Sequence, residues 1–289
     1  MRNRKLLLYP LFAFLALAIV FLHYSFEIYS EPKITLNSKY AKKYQPLVST
    51  NEQLFCYAAR FETPIIFPTE FNLLVWNLHK GIDKNWEDEL DKLSHHTSLA
   101  LLQEVSTKQN LPQRLATRFP YSLYASAYEF LSHQSGVNIL SSYPPESYCV
   151  SSEEEPWIQI PKLGISSSYP LANGQSLLVV NLHMVNFEWH PTNYQQQLNE
   201  IITVISAHQG PLILAGDFNT WNKSRLALIK AVTHQHQLQE VHYENDVRTR
   251  FLTNPLDHVF VRGIEVLQAD VIETDSSDHN PLLLKLSVQ

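Results

Sequence analysis

The sequence predicts an α/β protein: two mixed β-sheets packed face to face with helices outside. Three observations carry that expectation. Short apolar runs recur from residue 71 onward, and several follow one another with no helical stretch between them, which argues against a purely parallel sheet. Six of these stretches carry, at or beside a strand end, polar residues suited to hydrolysis, together four acids, two histidines and three amides. The length of 289 residues, 45% of them hydrophobic, is enough for one sizeable core of about 220 residues preceded by an extension.

The extension comes first. Met1 to Lys5 is basic, and Leu6 to Leu22 is then uncharged and dominated by Leu, Ala, Phe, Ile and Val. As a helix those residues span about 26 Å, at the lower edge for crossing a bilayer. Tyr24, Phe26 and Ile28 prolong the apolar character, so residues 1–30 read as an N-terminal transmembrane anchor. A cleaved signal peptide competes, but it needs small residues at its cleavage site, and His23 to Ser30 is bulky there. Arg2, Arg4 and Lys5 favour a cytoplasmic N-terminus, which places the catalytic domain in the periplasm or otherwise outside the cytoplasm. Residues 31–69, broken by Pro32, Pro46, Pro64 and Pro68 but carrying Phe55, Tyr57, Phe61 and Phe67, read as a tether packed on the domain.

Residues 70–289 read as the catalytic domain. Strands are expected at 71–77, 98–104, 136–140, 146–150, 164–170, 177–183, 212–215, 256–261, 264–273 and 282–286. Helices are expected at 84–94, 111–118, 193–208 and 222–233. In the third helix Leu198, Ile201, Ile202 and Ile205 fall at i, i+3, i+4 and i+7, one apolar face. The acidic triplet Glu153 to Glu155 reads as a solvated loop.

Charge narrows the partners. The formal net charge is -6, from 22 Lys and Arg against 28 Asp and Glu. Without Arg2, Arg4 and Lys5, 19 bases oppose 28 acids, a balance near -9. Nucleic-acid affinity rests on phosphate neutralisation, and this balance leaves no broad basic footprint. Cys56 and Cys149 form no C-x-x-C or Cys/His cluster, which disfavours structural zinc. They are either two isolated buried thiols or, in an oxidising compartment, one disulfide joining the pre-domain segment to the body.

The most informative run is Leu212 to Ala215 followed by Gly216-Asp-Phe-Asn219. Gly, Asp and Asn are all turn formers, so alone the motif is a turn. Its company changes that. Asn77 ends the 71–77 run and Glu104 ends 98–104. Asn181 and His183 form an i, i+2 pair facing one way from a strand, as do Asp217 and Asn219. Asp257 lies in Leu-Asp-His-Val-Phe, and Asp278 and His279 in Ser277-Asp-His-Asn-Pro281.

The ordered motifs W-N, Q-E, N-x-H, G-D-x-N, L-D-H-V-F and S-D-H-N-P resemble those of the endonuclease/exonuclease/phosphatase superfamily, over roughly residues 70 to 289. Glu155-Pro-Trp-Ile, Pro161-Lys-Leu and Tyr169-Pro-Leu further resemble its YafD-like bacterial branch. The resemblance implies the four-layer DNase I-like sandwich and hydrolysis of phosphoesters with Mg²⁺, or Mn²⁺, as the cofactor. It implies metal binding by Asn77, Glu104 and Asp278, since hard oxygen ligands suit such a cation. His279 becomes the general base or, when charged, a phosphate ligand, with Asp257 fixing its tautomer. Asp217 and Asn219 orient water and a phosphate oxygen. His183 protonates the leaving group or binds phosphate, and Asn181 and Asn219 line the substrate. His79 sits at the mouth. His95, His96, His234, His236, His242 and His258 match no motif position and read as ordinary histidines in helical or loop contexts.

The expected activity is a metal-dependent phosphodiesterase or phosphatase acting as a membrane-held monomer on a phospholipid head group or small phosphoester. No lipid-inserting hairpin or inositol-phosphate lysine cluster is visible in the sequence. A DNase I-like nuclease is the alternative that the charge disfavours. A non-catalytic binding module is a remote third, since every key group is present.

Overall fold

The structure, a computed structural model, describes residues 14, 17, 20, 21, 24–38, 44–47, 54–59 and 65–289. Its first strands are β1 (Phe26–Ser38), β2 (Gln45–Pro46), β3 (Leu54–Ala58) and β4 (Glu70–Asn77). Then come α1 (Trp86–Leu93), β5 (Leu99–Ser106), α2 (Leu111–Arg114), β6 (Tyr121–Phe130), β7 (His133–Ser141), β8 (Ser147–Glu153), β9 (Lys162–Pro170) and β10 (Ser176–His183). The C-terminal part holds α3 (Thr192–Ala207), β11 (Leu212–Asp217), α4 (Lys223–Gln235), β12 (Gln239–Glu240), β13 (Arg250–Phe251) and β14 (Asn254–Pro255). It closes with β15 (Asp257–Arg262), β16 (Ile264–Val271) and β17 (Leu282–Val288).

One sheet has seven strands in the order β1-β6-β7-β5-β4-β17-β16, and the other has eight in the order β12-β15-β11-β10-β9-β8-β3-β2. β13 and β14 form a separate hairpin. Both large sheets are mixed: β4 runs parallel to β5 and β10 parallel to β11, while the other pairs are antiparallel. Alternation sets the layers. Leu73 and Val75 of β4, Leu177 and Val179 of β10, and Ile213 and Ala215 of β11 share one core cluster between the sheets. Their neighbours point the other way. Leu74 and Trp76 meet Trp86, Leu90 and Leu93 of α1, whereas Val180 and Leu214 meet Leu198, Ile201 and Ile205 of α3. The order helix, sheet, sheet, helix is therefore the expected four-layer sandwich.

The helices follow their patterning. Trp86, Leu90 and Leu93 give α1 one buried stripe, while Glu87, Asp88 and Glu89 occupy its first turn and Lys92 its last, each sign favoured by the helix dipole. α2 stops at Arg114 rather than at the expected 118. Pro120 disfavours helical backbone at the residue before it, and the chain after α2 turns instead.

Seven strands escaped the sequence pattern: β1, β2, β3 and β6, and the two-residue β12, β13 and β14. β1 begins at Phe26, inside the stretch read as the end of the anchor, and pairs with β6 along most of its length. Phe26 and Ile28 alternate with Glu27 and so belong to a strand rather than to a continuing apolar run. Pro32 is tolerated because β1 is an edge strand and its register shifts between Ile28 and Lys33. The segment read as a tether thus supplies strands to both sheets. Among the described residues no helix is long and apolar enough to cross a membrane. The run 6–22 read as the anchor lies mostly outside the described residues; Phe14, Leu17, Val20 and Phe21 within it are helical and exposed.

Cys56 and Cys149 form a disulfide between β3 and β8, where they are directly paired. The bond spans 93 residues of sequence, so it restricts the unfolded chain strongly. Cys149→Ser is expected to destabilise the fold by about 2–4 kcal/mol. Chemical denaturation of wild type and variant without reductant measures this, and a difference near zero would contradict a structural role.

Candidate functional site

The parity that fills the core also builds the site. Asn77 follows Leu73 and Val75 on the inward face of β4, His183 follows Val179 and Asn181 on β10, and Asp217 follows Ala215 on β11. Each lies where the inward positions change from apolar to polar. Register then places three of the groups side by side. His183 pairs with Asp217 across the parallel β10–β11 ladder, and Asp217 pairs with Asp257 across β11–β15.

Asp217 is the centre. Its Oδ2 accepts from Asn77 Nδ2 of the opposite sheet at 3.1 Å and lies 3.6 Å from His183 Nε2 and 3.9 Å from His279 Nε2. Its Oδ1 accepts from the Asn219 backbone N–H at 2.9 Å, so Gly-Asp-x-Asn is both a turn and part of the site. Asp257 Oδ2 is 2.7 Å from His279 Nδ1, and Glu104 Oε1 is 3.9 Å from His183 Nε2. One chain of contacts thus runs from Asp257 through His279, Asp217 and His183 to Glu104.

The backbone is bent to make this possible. Gly216 has φ +134°, and a Cβ there would lie 2.1 Å from the Leu182 carbonyl oxygen of the paired strand. Only glycine permits that approach. The β5–β7 register shifts between Leu102 and Val105, and within that bulge Glu104 takes φ +51°. Asn219, His79 and Lys80 are also left-handed, at φ +48°, +44° and +56°. Such conformations are costly for residues with a Cβ and cluster where side-chain aim matters more than backbone comfort.

Charge is unevenly shared. Burial opposes charging of His279, but the Asp257, Asp217 and Asp278 carboxylates overcome it and lift the imidazole to about 10. His279 is therefore the cation of the pair at neutral pH. Burial pulls His183 the other way, to about 4, with the Lys162 ammonium adding to the fall against Asp217 and Glu104. Burial also opposes ionisation of Glu104, yet the charges of His183, Lys80 and Lys162 outweigh it and hold the carboxyl at about 2.

Most of the expected groups meet. Asn77, Glu104, His183, Asp217, Asp257 and His279 form one network. Asp278 stands at the mouth, half-exposed, with Oδ1 3.7 Å from His79 Nδ1. Asn219 reaches a neighbouring apolar pocket and anchors its amide Nδ2 on the Met184 carbonyl at 2.9 Å. Asn181 lies elsewhere. It is fully buried, donates to the carbonyls of Leu102 (3.1 Å) and Asn138 (3.0 Å), and accepts from Gln103 Nε2 at 2.6 Å. With its polar atoms committed across the sheets it is a rivet, not a substrate contact.

The acidic triplet is also different from its reading as a solvated loop. Glu153 and Glu155 are buried and only Glu154 is exposed. Glu155 Oε1 accepts the backbone N–H groups of Asn186 (3.0 Å) and Phe187 (2.5 Å), holding the loop after β10. Two lysines had no role in the sequence reading. Lys80 Nζ bonds Glu104 Oε2 at 2.5 Å, and Lys162 Nζ is 3.1 Å from His183 Nε2 and 3.9 Å from Glu155 Oε2. Lys162 belongs to the quoted Pro161-Lys-Leu stretch, but only the folded β9 brings it to the cleft. His258, expected in a helical or loop context, instead lies buried in β15, bonded to Glu240 at 2.8 Å and Thr220 at 2.8 Å.

A cavity of about 300 Å³ opens here, lined by His79, Lys80, Glu104, Lys162, His183 and Asp278 among others. The donors are carboxylate and amide oxygens with imidazole, a set that fits a hard divalent cation. Glu104 is ionised and already paired with a cationic side chain. The ligand atoms of Asp217, Asp257 and His279 lie within 4.8 Å of one another, the compact donor group among the described residues. There the short His279–Asp257 contact is the hydrogen bond of a dyad.

Comparison with known proteins matches this geometry to a lineage. The sequence profile of the Endonuclease/Exonuclease/phosphatase family matches residues 74–279. The chain belongs to that family. Other sequences of the lineage include a UPF0294 protein of Vibrio vulnificus (strain YJ016), 40% identical over 95% of this chain and 96% of its own length. Another, from Yersinia pseudotuberculosis, is 35% identical over 88% and 98%. Among solved structures, an endonuclease/exonuclease/phosphatase from Beutenbergia cavernae superposes with TM-score 0.58 at 13% identity, covering 76% of this chain and 72% of that one. ANGEL2, described as a 2′,3′-cyclic phosphatase, gives 0.59 at 16% identity, covering 75% and 95%. Family membership gives this chain the phosphoesterase- and nuclease-like fold of that superfamily.

The raised His279 has a consequence for stability. Its folded affinity for a proton exceeds the unfolded value near 6.5, so its contribution is complete below pH 6.5 and is lost as pH rises through about 10. His279→Gln is expected to flatten that alkaline loss in EDTA-treated protein. Denaturation midpoints from pH 6 to 10 measure it, and parallel curves for variant and wild type would refute the charged assignment.

Proposed function

We propose that the protein is a divalent-metal-dependent phosphodiesterase acting on a phospholipid head group or a small phosphoester. The observation that supports this reading is the Asp217-centred network, with a charged His279 on one side and a neutral His183 backed by Lys162 on the other. Such a site is built for an anion with three or more oxygens to hold.

Asp217 orients the attacking water and takes up its proton. His279, kept in register by Asp257, donates from Nε2 to a phosphoryl oxygen and then gives its proton to the leaving oxygen. The sequence offered His183 either for that proton or as a phosphate contact. A neutral imidazole whose Nε2 faces the Lys162 ammonium is poorly placed for it, so His183 and Lys162 serve as phosphate contacts. Glu104, with Asn77 and Asp278, would hold a divalent cation such as Mg²⁺ or Mn²⁺, which would supply Lewis-acid neutralisation of the phosphate charge.

The acidic balance argues for small or lipid phosphoesters over nucleic-acid polymers. The test is a Mg²⁺- and Mn²⁺-dependent hydrolysis panel of DNA, RNA, sphingomyelin, phosphatidylinositol phosphates and an aryl phosphodiester. His279→Ala and Asp217→Ala are each expected to lower turnover by about 10² to 10⁴ with folding retained. Glu104→Gln is expected to raise the metal concentration required. Wild-type turnover in a folded His279→Ala protein would remove it from the mechanism, and preferential cleavage of DNA would move the substrate class.

We propose further that the run 6–22 holds the protein in a membrane with the domain outside the cytoplasm. The uncharged run behind Arg2, Arg4 and Lys5 supports the anchor, and a disulfide is consistent with an oxidising compartment. Fractionation with protease treatment of spheroplasts is expected to give a membrane-bound, protease-accessible domain. Recovery in the soluble fraction, or full protection, would overturn the anchor or the orientation.

A further inference from the structure

Beside the catalytic cavity lies a second one of about 330 Å³, walled by Trp157, Phe187, Trp189, Trp221, Phe251 and Leu256. Three loops that are distant in sequence build it: the one after β8, the one after β10, and the one after β11 facing β13. Phe187 and Asn186 line both cavities, and Asn219 of the site motif forms part of the second one's floor. Trp157 and Trp189 are 62% and 72% exposed, an unusual state for indoles unless they meet a partner.

We propose that this aromatic cup receives the hydrocarbon chain of a lipid phosphoester whose phosphate lies in the catalytic cavity. The proposal rests on the phosphoesterase reading and names the substrate class of the same site. Three observations select a chain over a nucleobase. Neighbouring rings meet at 55° (Trp157 and Trp189), 88° (Trp189 and Trp221) and 72° (Trp221 and Phe251), so no parallel pair offers a stacking slot. Three of the polar groups on the walls are committed. Glu188 accepts from the Asn193 and Tyr194 backbone N–H groups at 2.8 and 3.1 Å, the Trp221 indole donates to the Asn186 carbonyl at 3.3 Å, and the Asn219 amide donates to Met184. No lysine or arginine lines the cup, whereas Lys80 and Lys162 face the phosphate side, so the two cavities divide an amphipathic molecule by polarity. Indoles at the rim also suit the boundary between water and a lipid surface.

A series of 4-nitrophenyl alkyl phosphodiesters from methyl to octyl tests this with Mn²⁺ present. In the wild type kcat/KM is expected to climb by up to about fourfold per methylene until the cup is filled. In the double variant Trp157→Ala/Trp189→Ala the octyl-over-methyl ratio is expected to fall at least tenfold; both side chains are exposed, so the fold should tolerate their loss. A second readout needs no catalysis: quenching of tryptophan fluorescence by octylphosphonate in EDTA, set against methylphosphonate. A flat chain-length dependence in the wild type, or an unchanged ratio in the variant, overturns the proposal. So does a thymidine 4-nitrophenyl phosphodiester that outcompetes the octyl ester, since that means base recognition. Failure of every ester to hydrolyse, with octyl-selective quenching that the double variant abolishes, would instead sink the phosphoesterase reading and leave the chain site standing.

Discussion

The Asn181 amide is the constraint on which the site depends. It sits between the sheets, one inward position below His183, and bonds to main-chain oxygens of β5 and β7 and to Gln103. A buried amide is stable only when its donors and acceptor are satisfied. That requirement fixes how closely β10 approaches β5, and so fixes the distance across which Asn77 meets Asp217 and His183 faces Glu104. An apolar residue at the same place would fill volume without specifying that spacing. The polar centre therefore rests on a small polar foundation inside an otherwise hydrocarbon interface.

The architecture was largely legible in the chain because alternation does two jobs at once. Leu177, Val179, Asn181 and His183 share one face, so the rule that fills the core also aims the chemistry. What that rule cannot give is depth. Asn181 and His183 look equivalent in sequence, and only the packed sheets decide that one is interior and the other at the rim. The strand missed at 121–130 is buried on both faces over much of its length, with Tyr, Ser and Ala mixed in, and so shows neither a clean alternation nor a pure apolar run. β1 was hidden by the apolar segment preceding it. Glu155 of the 153–155 triplet vanished into the interior with backbone N–H groups of the loop after β10 as partners of its Oε1, partners that no side-chain pattern announces.

The same limit explains the cup and the lysines. Trp157, Trp189 and Trp221 are spread over 65 residues of chain and join only through loop closure, and Lys162 reaches His183 only once β9 pairs with β10. Sequence reasoning finds groups that a strand or helix period brings together. It is blind to groups assembled by loops, and those loops carry the features that distinguish one member of a fold family from another.

The outer margins of the sheets have a bearing on how the molecule meets copies of itself. β1 is interrupted by Pro32 and a register shift, β2 is the two-residue Gln45–Pro46, β12 is equally short, and β16 has its own shift between Val266 and Gln268. Unbroken edge ladders are what let strands from separate molecules zip together. Among the described residues every margin is cut short, kinked or proline-bearing, so copies of this chain in a crowded population meet edges that disfavour strand-to-strand fusion.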